Sequence, residues 1–195
     1  MSFYSFAKGF LNFATRIYYR LEYSGLDKVP EGGFLLCSNH VSFIDPALLV
    51  IRIKPQFRFM AKAELFRVPV LRHIIRWLGA FPVSRGSGDM TPINVSIDTI
   101  NSGGNLLIFP EGTRSKTGEL LRPRSGAALV AMKTGADVLP ASVRYEHRGR
   151  FRSRVYVRYG DLIPNAALRL DPDNPRSLHA ASKYIMERIR ELWQS

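Results

Sequence analysis

Three short apolar runs, Phe34-Leu35-Leu36-Cys37, Leu106-Leu107-Ile108-Phe109 and Val138 to Val143, constrain most strongly how this 195-residue chain folds. Each has the length of a strand and not of a helix, and each follows turn residues: Pro30-Glu31-Gly32-Gly33, Gly103-Gly104 and Gly135. Two further stretches, Gln56 to Ala61 and Arg154 to Tyr159, alternate apolar and polar residues as strands do. Between them lie segments of helical spacing: one from Leu65 to Leu78 that Pro69 must bend or break, one opened by Thr91-Pro92, one from Ser125 to Gly135, and one opened by Asn174-Pro175. Strands alternating with helices predict an α/β domain, a mixed sheet with helices on both faces. Pro140 interrupts the third run, which predicts a sheet edge or a bulge there.

Polar residues gather where two of these runs end. After Cys37 the chain reads Ser38-Asn39-His40-Val41-Ser42-Phe43-Ile44-Asp45-Pro46 and then turns apolar again. His40 and Asp45 are five residues apart, on opposite faces of a strand and far apart around a helix, so only a turn brings them together. If they meet, the carboxylate accepts from one ring nitrogen and leaves the other free to take a proton from a hydroxyl. The same residues also fit a plain helix start, with Asp45 as N-cap and Pro46 as first helical residue. After Phe109 the exit is Pro110-Glu111-Gly112-Thr113-Arg114, which presents a carboxylate, a hydroxyl and a guanidinium where α/β folds place ligands.

Charge and the N-terminus narrow the partners. With 28 basic and 16 acidic residues the net charge is +12, a field that draws anionic partners without naming one. No helix-turn-helix, zinc-finger or RNP-type pattern favours nucleic acid. Phe3, Phe6, Phe10, Phe13, Ile17 and Leu21 recur at helical spacing, and Lys8, Asn12, Arg16 and Arg20 recur every four residues. Over residues 1–22 this predicts a basic amphipathic helix, of the kind that lies in an anionic membrane interface, ahead of a domain over 23–195. Packing of that helix on the domain is the competing reading. No run of 18 apolar residues is present, so a peripheral, monotopic protein on the cytoplasmic face of the membrane is expected. The single cysteine, Cys37, excludes an intrachain disulfide and suits core packing. The histidines at 40, 73, 147 and 179 lack metal-ligand spacing, so no cofactor is expected; His73 reads as a surface or structural residue. Neither nucleotide-binding glycine motif is present.

Four stretches in this order carry a family resemblance: Asn39-His40 with Asp45, Gly79 to Arg85, Phe109 to Ser115, and Val138 to Val143. They resemble the four sequence blocks of the glycerolipid acyltransferases, the 1-acylglycerol-3-phosphate acyltransferase family in particular. The resemblance implies transfer of a fatty acyl group from acyl-CoA or acyl-carrier protein to the free hydroxyl of lysophosphatidic acid, with His40 as general base and Asp45 orienting it. It further implies that Lys62, Arg85 and Arg114 hold the acceptor phosphate, that Glu111, Gly112 and Thr113 shape the acceptor site, and that Pro140 lies beside the acyl or acceptor pocket. An acyltransferase acting on glycerol-3-phosphate or another lysolipid is the nearest alternative. A hydrolase using Ser38, Ser42 or Cys37, and a non-enzymatic basic binding protein, are the other two classes the sequence leaves open.

Overall fold

All three apolar runs become neighbouring strands. The computed structural model describes residues 3–83 and 90–195, the first five of these as backbone only; Arg85 and the side chains of Phe3 and Phe6 lie outside the described residues. The strands are β1 (Arg20–Ser24), β2 (Leu35–Ser38), β3 (Phe57–Lys62), β4 (Ala80–Val83), β5 (Asn105–Ile108), β6 (Val138–Tyr145) and β7 (Arg154–Tyr159), in the spatial order β1-β7-β6-β2-β5-β3-β4. Neighbours run parallel except β6 and β7, so β1 and β7 oppose the other five and the sheet is mixed.

Helices cover both faces because successive strand residues point to opposite sides. On one side Leu36, Leu107, Leu139, Ala141 and Val143 pack against Leu48 and Leu49 of α2 (Asp45–Val50) and Ile75 of α3 (Pro69–Trp77), with Leu11 of α1 (Phe3–Tyr18) at the margin. On the other, Leu35, Cys37, Leu106, Ile108 and Val138 meet Ile100 of α4 (Thr91–Asn101), the alanine-rich α5 (Gly126–Thr134), and Ile185 and Ile189 of α6 (Pro175–Gln194). Small residues on α5 let it lie close to the sheet, and burial of this two-sided core supplies most of the driving force for folding.

Two local expectations change, at Leu21 and at Asp45, and at Pro140 the bulge is realised and the sheet edge is not. The helical reading through Leu21 stops at Tyr18, and Arg20 opens the edge strand β1. There Tyr19, Leu21 and Tyr23 pack against the core while Arg20, Glu22 and Ser24 stay outside, a two-residue period that wins over the helical one. Pro140 lies in a central strand, not at an edge. Val138 bridges Ile163, and the β7 ladder resumes only at Ala141 opposite Tyr159, so the partner chain carries one extra residue across the position where proline has no N–H to give. Asp45 is the first helical residue after an Ile44 N-cap, and its carboxylate accepts from amides that precede it, not from those of the helix.

Asn39 connects fold to site. It is fully buried just past the end of β2, and its amide copies a peptide group: Nδ2 donates to Val143 O at 2.9 Å, and Oδ1 accepts from Val143 N at 2.8 Å. The side chain thereby extends the β2–β6 ladder and frees the backbone to turn at His40. Replacing Asn39 with alanine leaves a buried N–H and a buried C=O unpaired, so Asn39→Ala is expected to lose about 2–4 kcal/mol of stability. In urea unfolding this lowers the midpoint with the slope unchanged; a midpoint equal to wild type would refute the clamp.

Candidate active site

Parallel pairing of β2 with β5, Cys37 opposite Ile108, brings the two polar exits side by side. His40 stacks on Phe109, ring centroids 3.9 Å apart and planes 15° from parallel, and Ser115 N donates to His40 O at 2.7 Å. The turn folds back so that His40 Nδ1 lies 2.9 Å from Asp45 Oδ2. The spacing alternatives are thereby resolved in favour of contact. Asp45 is fully buried, and four donors converge on it: Val41 N and Ser42 N, each 2.7 Å from Oδ2, His40 Nδ1 on the same oxygen, and Tyr145 Oη at 2.6 Å from Oδ1. An ionised carboxylate only accepts, so Nδ1 carries the proton and Nε2 keeps its lone pair for a hydroxyl proton. The amides of Val41 and Ser42, at the turn before α2, are taken by Asp45, and Pro46 has none.

Next to this pair lies a cavity of about 780 Å³, within the range of small-molecule sites. Ala47, Val50, Phe59, Leu65, Ile75 and Leu78 form its apolar depth, and Lys62, Thr113, Arg114, Lys116 and Arg148 its polar rim; His40 opens onto it. The rim cations differ. Lys62 is half exposed and pairs with Glu64 at 3.0 Å. Arg148 is held by carbonyls, donating to Val41 O at 3.2 Å, Ser115 O at 3.0 Å and Lys116 O at 2.6 Å, and so braces the two exits against each other. Arg114 is exposed on the cavity wall.

The remaining sequence-derived candidates stand behind or away from the cavity. Glu111 is buried, with neither carboxyl oxygen hydrogen-bonded. Burial pushes its carboxyl up to about 7, Asp45's charge adds to this, and the nearby amides of His40 and Leu121, short of bonding geometry, draw it part of the way back. Gly112 takes φ 68°, where a Cβ would stand 2.9 Å from Arg124 Cδ, so its glycine serves the turn. Pro140 points to the far side of the sheet, under Leu192 of α6 and next to Gly160. Cys37 is a buried thiol pushed up to about 12, a core residue and not a nucleophile. His73 is exposed and bonded to Arg72. Among the described residues no three His, Cys, Asp or Glu side chains cluster as metal ligands do.

Sequence reasoning passed over Phe109, Tyr145 and Arg148. Phe109 was legible only as the end of an apolar run, and Tyr145 lies two residues past the run that was expected to end at Val143. Arg148 is one of many basic residues, and its role rests on three carbonyls distant in sequence.

Comparison with known proteins places these features in a family. A family described as acyltransferase matches residues 20–144, well over half of the chain. The chain is 30% identical over 130 residues to the chloroplastic 1-acyl-sn-glycerol-3-phosphate acyltransferase of Arabidopsis thaliana, covering 65% of this chain and 36% of that protein. It is 36% identical over 124 residues to a lyso-ornithine lipid O-acyltransferase of Pseudomonas aeruginosa, covering 63% and 47%. It thus spans less than half the length of these two relatives. In fold it is similar to the crystal structure of the 1-acyl-sn-glycerophosphate acyltransferase PlsC from Thermotoga maritima, with a TM-score of 0.76, 24% identity and coverage of 97% of this chain and 78% of that one.

The buried Glu111 makes stability depend on pH in a stated direction. Its carboxyl holds a proton up to about pH 7 in the folded chain and loses it near 4.5 when unfolded, so between these values the native state binds more protons. This contribution is complete below about 4.5 and lost as pH rises through 7, amounting to at most about 3 kcal/mol. Glu111→Gln is expected to flatten that fall; chemical denaturation at pH 4.5, 6 and 7.5 measures it, and parallel curves for both proteins would contradict the assignment.

Proposed function

The chain belongs to the acyltransferase family, and on that premise we propose that it transfers a fatty acyl group from a thioester to the sn-2 hydroxyl of 1-acylglycerol-3-phosphate, forming phosphatidic acid. The observation that carries this reading is the histidine whose Nδ1 is tied to a buried carboxylate while its ring borders a deep apolar cavity. His40 Nε2 takes the acceptor's hydroxyl proton, the oxygen attacks the thioester carbonyl, the carbon–sulfur bond breaks, and the imidazolium returns its proton to the departing thiolate. Asp45 holds the ring and stabilises the imidazolium; no acyl-enzyme is required. The apolar depth takes the acyl chain. Arg114 and Lys62, with Arg85, attract the acceptor phosphate, Glu111, Gly112 and Thr113 shape the loop that bears Arg114, and Pro140 acts only through the sheet. Donors of either kind, acyl-CoA or acyl-carrier protein, are acidic and suit a protein of charge +12.

A specific observation keeps a second acceptor in view: the relative that is 36% identical is named for a lyso-ornithine lipid. That headgroup lacks a phosphate, so the cationic rim separates the two readings.

Membrane attachment follows from which side of α1 the fold covers. Lys8, Leu11, Asn12, Thr15 and Tyr19 face the domain, Lys8 Nζ donating to Ile53 O, whereas Phe10, Phe13 and Ile17 face outward, Phe13 with 66% of its surface exposed. A helix that turns aromatic residues outward and a half-buried lysine inward is built to meet something apolar. Phe151, beside Phe13 and Ile17, and the outer row Val70, Ile74 and Trp77 of α3 extend this surface, with Arg16, Arg67, Arg72 and Arg76 among them. Both helices line the cavity through Leu11, Leu71 and Ile74, so lipid reaches His40 from the membrane side. Among the described residues no helix is long and apolar enough to cross a membrane. In this reading α1 serves as attachment and the chain from β1 onward as the acyltransferase domain, lying peripherally on the cytoplasmic face.

Three measurements test this reading. With labelled acyl thioester and 1-acylglycerol-3-phosphate in micelles, His40→Ala is expected to lower turnover about 10²–10⁴-fold, and undiminished phosphatidate formation would remove His40 as the base. Arg114→Ala is expected to raise the KM for the phosphate acceptor several-fold and leave that for the thioester unchanged; equal effects on both, or faster turnover of a lyso-ornithine lipid by wild type, would favour the second acceptor. Phe10→Glu combined with Phe13→Glu is expected to release the protein from phosphatidylglycerol-containing vesicles without altering its unfolding midpoint, and retained binding would exclude α1 as the anchor.

A further inference from the structure

Tyr145 is the last residue of β6, two residues beyond the Val143 that Asn39 clamps and on the same face of the sheet. It lies past the end of β2, where β6 continues beneath the turn from His40 to Asp45. There its hydroxyl reaches Asp45 Oδ1 at 2.6 Å, while His40 and two backbone amides occupy Oδ2. The phenol is held in place by the edge of Tyr19, ring centroids 5.8 Å apart and planes at 71°. It is partly buried, and desolvation together with Asp45's charge keeps it protonated and therefore a donor.

We propose that Tyr145 is a positioning residue for the His40–Asp45 pair: by engaging Oδ1 it leaves only Oδ2 toward the imidazole and limits the negative charge that the ring proton meets. The inference rests on the reading of His40 as the base. A buried carboxylate with a bare oxygen presents more charge to its remaining donors and has one restraint fewer on rotation about its Cβ–Cγ bond. With both oxygens held, the imidazole has one partner at one angle, which proton transfer in a fixed geometry requires. The other charged or titratable groups around the pair are Glu111 after β5, Tyr19 at the start of β1, Arg148 on the carbonyl of Val41, and Arg114 and Lys116 on the cavity rim. Among the described residues the carboxylate accepts from none of them, only from Tyr145, His40 and the two amides.

The test reads the His40 Nδ1 proton by NMR in the intact, ¹⁵N-histidine-labelled protein, and so does not depend on turnover. In Tyr145→Phe this resonance is expected to move downfield, because Asp45 accepts more strongly once its other donor is gone. In Tyr145→3-fluorotyrosine, whose more acidic phenol donates more strongly, it is expected to move upfield. In acyl transfer, Tyr145→Phe lowers kcat about tenfold, the equivalent of one hydrogen bond to a charged acceptor, with KM for both substrates unchanged. A resonance that stays in place in both variants, or moves the same way in both, overturns the proposal. Should Tyr145→Phe fail to fold, the fluorinated variant decides alone. Asp45→Asn separates this inference from the reading beneath it: activity surviving that change would refute the catalytic pair even if the Tyr145 variants shift the resonance as expected.

Discussion

Asp45 is an anion at the centre of the domain, and the site is arranged around keeping it there. A fully buried carboxylate is costly unless hydrogen bonds replace its water. Here Val41 N, Ser42 N, Tyr145 Oη and His40 Nδ1 replace it. Each donor fixes something else in turn. The amides set the tight turn, the imidazole is given one tautomer, and Tyr145 ties the end of β6 to the start of α2. The same carboxylate raises the proton affinity of Glu111 behind it.

What holds those donors in register is the sheet. β2 lies between β5 and β6, so the chain leaving it at His40 emerges between Phe109 on one side and the Asn39–Val143 clamp on the other. Parallel strands end at a common edge, and their exits converge on one place although they lie some seventy residues apart in sequence. Arg148 then braces the two exits through carbonyls, which makes a basic residue at the cavity rim a structural element.

The N-terminal helix shows how a sequence pattern can be read correctly and still leave its use undecided. Apolar and basic residues alternate around α1 at helical spacing whichever side faces the domain. Packing decided it: the side bearing Lys8, Asn12 and Thr15 is covered, and Phe10, Phe13 and Ile17 are left outside. The usual arrangement of a globular helix is reversed, and the apolar surface it leaves continues onto α3 and Phe151. Leu21, in phase with the helical pattern, instead joins β1, because cross-strand pairing with β7 outweighs the continuation of an isolated helix.

Local chemistry made five of the seven strands, the helices and the His40–Asp45 candidates legible in the sequence alone. Short apolar runs bounded by glycine and proline have the length of buried strands and not of helices, and polar residues at their ends lie where strands leave the sheet. The four motif stretches were legible for the same reason, since each is contiguous. Strand order, the bulge opposite Pro140, the outward face of α1, and the partners Phe109, Tyr145 and Arg148 were decided by tertiary structure. Each depends on contacts between residues far apart in the chain, and neither side-chain periodicity nor turn chemistry carries information about which distant strand becomes a neighbour. The sequence names the histidine and the carboxylate; the register of β2 between β5 and β6 determines what touches them.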